Sequence, residues 1–103
     1  MDNERERIVV RIDPDLMEII PDLFDFRRKD ISTITSLVAE GNFPAIKVIG
    51  HNLKGAGGGF GFDAISEIGQ RIEHAAEKSS PAEVSACVAE LAEYLGRVEV
   101  RYS

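Results

Sequence analysis

The 103-residue chain has no tryptophan, one cysteine and few aromatic residues, 7% in all. With Cys87 alone, an internal disulfide is excluded, and its place among the apolar residues of a helical pattern reads as a small core residue. No apolar run approaches the roughly 20 residues that span a bilayer. The opening MDNERERIVVRID lacks the basic-then-apolar order of a signal peptide. These absences point to a cytoplasmic protein without a membrane partner. Basic blocks are scarce too: the longest is Arg27-Arg28-Lys29, in a chain of net charge −6 with 12 basic and 18 acidic residues. Nucleic acid, which requires a basic face to neutralise phosphates, is therefore not an expected partner.

What is present is a globular composition, 44% apolar and 29% charged, in a length that suits one small domain with one core. The expected class is all-α, an antiparallel four-helix bundle with a short extra N-terminal helix: residues 1–12 form an extended arm and 13–102 the bundle. Asp13 caps the short helix, with Pro14 at its first position, and Pro21 interrupts or restarts it. A long helix over 21–40 buries Phe24, Ile31, Ile34 and Val38 and ends at Gly41. The next starts near Asn42, with Ile46, Ile49, Leu53, Ala56 and Phe60 as a seam spaced 3, 4, 3, 4. Asp63 caps a third helix with Ile65, Ile68, Ile72 and Ala76 inward. Ser80, Pro81 and Glu83 open a fourth, whose Val84, Val88, Leu91, Leu95, Val98 and Tyr102 run to the C-terminus. The β-branched stretch 7–12 finds no partner strand elsewhere in the sequence and is read as an arm lying on the bundle.

One stretch resists this plain reading. GHNLKGAGGGFGF, residues 50–62, crowds glycines around His51 inside a helix, and each glycine there costs on the order of 1 kcal/mol relative to alanine. At about 100° per residue His51 falls off the apolar seam and shares an outward face with Lys47, Lys54, Gly55 and Gly58. A free imidazole titrates near pH 6.5, so a neutral, nucleophilic ring is available near neutrality. Lys54, at i+3, is placed to hold an anionic phosphoryl group beside it. Gly55 and Gly58 leave a flat surface that another backbone can approach. Gly57 and Gly59 suit close helix packing, Gly61 a left-handed turn, and Phe60 and Phe62 core plugs at the corner. Neither a P-loop nor a dinucleotide fingerprint fits, because no strand precedes the glycines. His74 has no companion at metal-ligand spacing and reads as a surface residue, so no metal site is expected.

His51-Asn52-Leu53-Lys54-Gly55, followed by Gly61, resembles the HxLKG…G signature of histidine-containing phosphotransfer domains, the carriers of two-component phosphorelays. Within that family HNLKGAGGGFGFDAISEIGQRIE is similar to the phosphotransfer domain of chemotaxis histidine kinases. The resemblance implies a four-helix bundle that carries a phosphoryl group on His51 between a sensor histidine kinase or receiver-domain aspartate and another receiver domain. It also implies that Glu73, 22 residues after His51, hydrogen-bonds the ring, with Gln70 on the same polar stripe. One departure stands out: Ala56 and Gly57 occupy positions where small hydroxyl residues are common.

The expected protein is therefore a stoichiometric carrier without a kinase domain of its own, free-standing as the initial Met1 suggests. Its active residues are His51, Lys54, Glu73 and Gln70, its partner-binding residues Lys47, Gly55 and Gly58. It needs no cofactor, the Mg²⁺ being expected on the receiver partner. The alternative is an adaptor bundle that binds receiver or kinase domains without being phosphorylated.

Overall fold

The computed structural model describes residues 7–103. A first strand, β1 (Ile8–Ile12), is followed by a single 3₁₀ turn at Pro14–Leu16. Four helices succeed it: α1 (Ile20–Glu40), α2 (Phe43–Gly59), α3 (Asp63–Glu77) and α4 (Pro81–Arg97). A second strand, β2 (Val98–Tyr102), is the last element. The helical bundle expected from the sequence is there, and the starts and stops of its helices follow from local chemistry. Gly41 ends α1 in the left-handed region at φ 70°, with its N–H on Leu37 and Val38 carbonyls. Asn42 caps α2 by accepting from the Ala45 N–H at 3.2 Å, and Ser80 caps α4 by accepting from Glu83 N–H at 3.3 Å. Asp63 does not cap α3; it is the first residue of that helix, where its charge complements the dipole, and Phe62 takes the cap position.

Three expectations need correction. The short N-terminal helix is only the 3₁₀ turn, capped by Asp13 as its sequence suggests, because Pro21 has no N–H with which to continue a helix across Ile20. The last helix stops at Arg97; Val98 already has φ −73° and ψ 136°. The stretch 7–12 has a partner strand after all, since β1 pairs with β2 in parallel, Ile8 opposite Val98 through Ile12 opposite Tyr102. Ile8, Val10 and Ile12 with Val98, Val100 and Tyr102 pack on the core, while Val9, Arg11 and Arg101 stay exposed. The alternation of β-branched and charged residues in VEVRY is a strand signal, masked by the fact that Val98 and Tyr102 also continue the helical spacing of α4.

The core is built from all four helices. Ile34, Ile46, Leu53, Phe62, Ile65, Ile72, Val84 and Leu91 are completely buried, each contributing about 1.5–3 kcal/mol of transfer free energy. The ring of Phe62 packs edge-on against Phe24, centroids 5.2 Å apart, so it plugs the corner as expected. What positions the site is the closeness of α2 and α3. A Cβ on Gly69 would lie 2.5 Å from the Lys54 backbone nitrogen and 2.7 Å from the Gly50 carbonyl oxygen. One on Gly57 would lie 2.5 Å from the Ser66 nitrogen, and one on Gly50 2.8 Å from that of Glu73. Backbone meets backbone along this crossing, and only glycine allows it.

Candidate functional site

Because α2 and α3 run antiparallel at such short range, side chains one turn apart on each helix meet in successive rungs. At one rung His51 Nδ1 is 3.5 Å from a Glu73 carboxylate oxygen. The histidine side chain is 69% exposed and the glutamate 18%, so the carboxylate sits in the crevice and the ring stands above it. One turn away Lys47 Nζ and Glu77 Oε2 form an ion pair at 3.1 Å. On the other side lies exposed Lys54, which makes no ion pair among the described residues. The sequence thus placed His51, Lys47 and Lys54 on one outward face, and the structure adds that Lys47 is engaged by Glu77 rather than held free for a partner.

Gln70 is exposed one turn before Glu73, and no hydrogen bond joins it to His51 among the described residues. Gly55 and Gly58 are exposed; a Cβ on Gly55 would meet nothing within 4 Å, and one on Gly58 would make only ordinary contact with the Ser66 side chain, its hydroxyl at 3.6 Å. Neither glycine adds a side chain to the surface beside His51. Gly61 takes φ 88° in the turn before α3, and Gly57 is the close-packing glycine foreseen. Gly59 is not: a Cβ there would point into open space. Gly50 and Gly69, to which local spacing assigns no packing role, make the tight crossing. Their partners lie on another helix, and the only sequence signal was the spacing of seven between Gly50 and Gly57.

Two further residues of the site were missed. Val48, three residues before His51, is 59% exposed and gives this otherwise polar face an apolar spot. Ser66 donates its hydroxyl to the Lys54 carbonyl at 2.8 Å. This bond, reaching across from α3, ties the glycine-rich segment of α2 in place. Ser66→Ala is expected to lower stability by about 1 kcal/mol, checked by urea denaturation, with the loss of amide protection in hydrogen exchange concentrated around residues 54–59.

His74 is exposed, as read from the sequence, and Cys87 is buried. Burial pushes the Cys87 thiol up, only partly offset by the Arg71 guanidinium nearby. Arg71 itself is held by Glu90 across α3 and α4, which keeps the Glu90 carboxyl below its ordinary range. Among the described residues no three His, Cys, Asp or Glu side chains gather as a metal site, and no helix is long and apolar enough to cross a membrane.

Fold and site together define a helical-bundle module that displays one carboxylate-braced histidine on a helix face. The family model for the Hpt domain matches residues 18–100, and the chain belongs to that family. Hpt domains serve histidine phosphotransfer in two-component phosphorelays, where they interact with kinase and receiver domains and have no kinase activity of their own. Neither the curated proteins nor the solved structures gave a match.

Proposed function

We propose that His51 is the phosphoryl acceptor and donor of this Hpt domain, taking the group from a kinase or receiver-domain aspartate and passing it to another receiver. The observation that carries the reading is the pairing of His51 Nδ1 with Glu73 at 3.5 Å. With the ring proton kept on Nδ1 beside that carboxylate, the Nε2 lone pair is directed outward as the nucleophile. Nε2 attacks the phosphorus of the aspartyl phosphate in line; the N–P bond forms as the P–O bond to the aspartate breaks, and the carboxylate leaves. The phosphorylated ring retains its Nδ1 proton and is positively charged, and Glu73 stabilises that charge. Lys54 faces the incoming phosphoryl oxygens from one turn away.

Gly55, Gly58 and Val48 present a flat surface on which a receiver domain docks and excludes water from the reacting group. Lys47 lies at the edge of that surface, released from Glu77 when a partner offers it an acidic side chain. Mg²⁺ is supplied by the receiver, and the module itself requires no cofactor. Glu73 standing 22 residues after His51, together with GAGGGFGF, supports a site arranged like that of chemotaxis-kinase phosphotransfer domains, working in the cytoplasm beside its partners.

The test is incubation with a phosphorylated receiver domain and Mg²⁺, followed by intact-mass analysis and mapping of an acid-labile, base-stable phosphate to His51. Stable binding to receivers without any such phosphate would overturn the carrier in favour of the adaptor. Glu73→Gln is expected to slow phosphorylation about tenfold or more and to shift its pH profile, while receiver affinity measured by calorimetry stays unchanged.

A further inference from the structure

The ribbon made by β1 and β2 is a sheet of two strands, with no third strand paired to either among the described residues. Its inner face is spent on the core; its outer face carries Val9, 46% exposed, and Arg11 on β1, with Glu99 and Arg101 opposite them on β2. Arg7 precedes β1 in the same alternation and is exposed. Glu99 binds Arg101 at 2.9 Å, whereas Arg7 and Arg11 form no ion pair among the described residues. Arg11 and Arg101 stand in register, so two like charges lie side by side on a chain of net charge −6.

We propose that the open edge of β1 is a docking site for an acidic extended segment of a partner protein, which adds to the ribbon as a third strand. Strand addition supplies main-chain hydrogen bonds from the unpaired edge, and the side chains set the choice of partner. A strand alternating acid, apolar, acid would place its carboxylates against Arg7 and Arg11 and its apolar residue against Val9. The same charges reject a second copy of β1, because Arg would again meet Arg; charged edges are a common defence against self-pairing. Addition on the β2 side is disfavoured for the acidic strand, which would meet Glu99 there. The edge is thus closed to copies of itself and open to a partner of opposite charge.

The experiment is a titration of the full ¹⁵N-labelled chain with a capped peptide of alternating glutamate and valine, followed by amide chemical shifts. Changes concentrated on residues 7–12, weakening with added salt and falling about tenfold in affinity in R11E, are the expected result. The counterpart peptide with lysine in place of glutamate should leave those amides unmoved. Equal responses to both peptides, or no response at 7–12, would overturn the proposal. So would concentration-dependent shifts of these amides without peptide, which would make a second copy the occupant. The R11E variant is checked by circular dichroism; should it unfold, R7E replaces it in the comparison.

Discussion

Replacing His51 by glutamine is expected to abolish phosphorylation while leaving the bundle folded. The side chain is mostly in solvent, and its ionisable partner among the described residues is Glu73, at 3.5 Å. Exchange of one exposed polar group for another usually changes stability by about 0.5 kcal/mol. Glutamine keeps similar bulk and an amide that can face the Glu73 carboxylate, yet it offers no nucleophilic nitrogen. Intact-mass measurement after exposure to a phosphorylated receiver should show no added phosphate, while the thermal midpoint and helical ellipticity match those of the parent. Binding to the receiver should persist, because the flat surface of Gly55 and Gly58 is untouched. Loss of helical signal in this variant would make His51 a structural residue, and phosphate retained elsewhere on the chain would move the acceptor to another residue.

The second large effect is expected far from any reacting atom. Gly69→Ala adds one methyl group at a point 2.5 Å from the Lys54 backbone nitrogen and 2.7 Å from the Gly50 carbonyl oxygen, where no flexible side chain can yield. The helices must move apart. Overpacking of this kind costs about 1–3 kcal/mol, occasionally more, and a loss of 2–3 kcal/mol lowers the melting midpoint of a domain this size by roughly 10–20 °C. Gly55→Ala is the control, since a Cβ there meets nothing within 4 Å. It should raise stability by up to about 1 kcal/mol through helix propensity alone. Calorimetric melting of the two variants therefore gives shifts of opposite sign. Gly69→Ala should also slow phosphotransfer, because Glu73 follows Gly69 by one turn and is carried away from His51 as the helices separate; equal midpoints would show that the crossing tolerates a methyl group.

The contrast between these glycines marks what the sequence made legible. Helix ends at Gly41, Asn42 and Ser80 were readable because caps act within three or four residues, and the seams of α2 and α3 were readable because burial imposes a helical period. Gly69 was silent. Its reason for being glycine lies in Lys54 and Gly50, which are neighbours only once α2 and α3 have crossed. The same holds for Lys47, whose period placed it correctly on the outer face but whose engagement by Glu77 depends on the register of two helices. The meeting of His51 with Glu73 was accessible through the family resemblance and not from spacing alone, since residues 22 apart in sequence adopt no fixed relation until the intervening turn is known.

The strand β2 went unseen for another reason: Val98 and Tyr102 satisfy both the period of a helix and that of a strand, and the partner that decides between them lies some 90 residues earlier. Parallel pairing of sequence ends leaves no local trace, because no turn joins the two strands.

That pairing has a mechanical consequence. β1 enters the molecule and β2 leaves it, side by side and pointing the same way. Tension between the two ends of the chain therefore drags the strands past one another along their length and loads their hydrogen bonds together, instead of peeling them apart one at a time. The ribbon acts as a shear clasp, and the rungs between α2 and α3, which lie between the two strands in the chain, feel little of a pull on the ends until the clasp gives way.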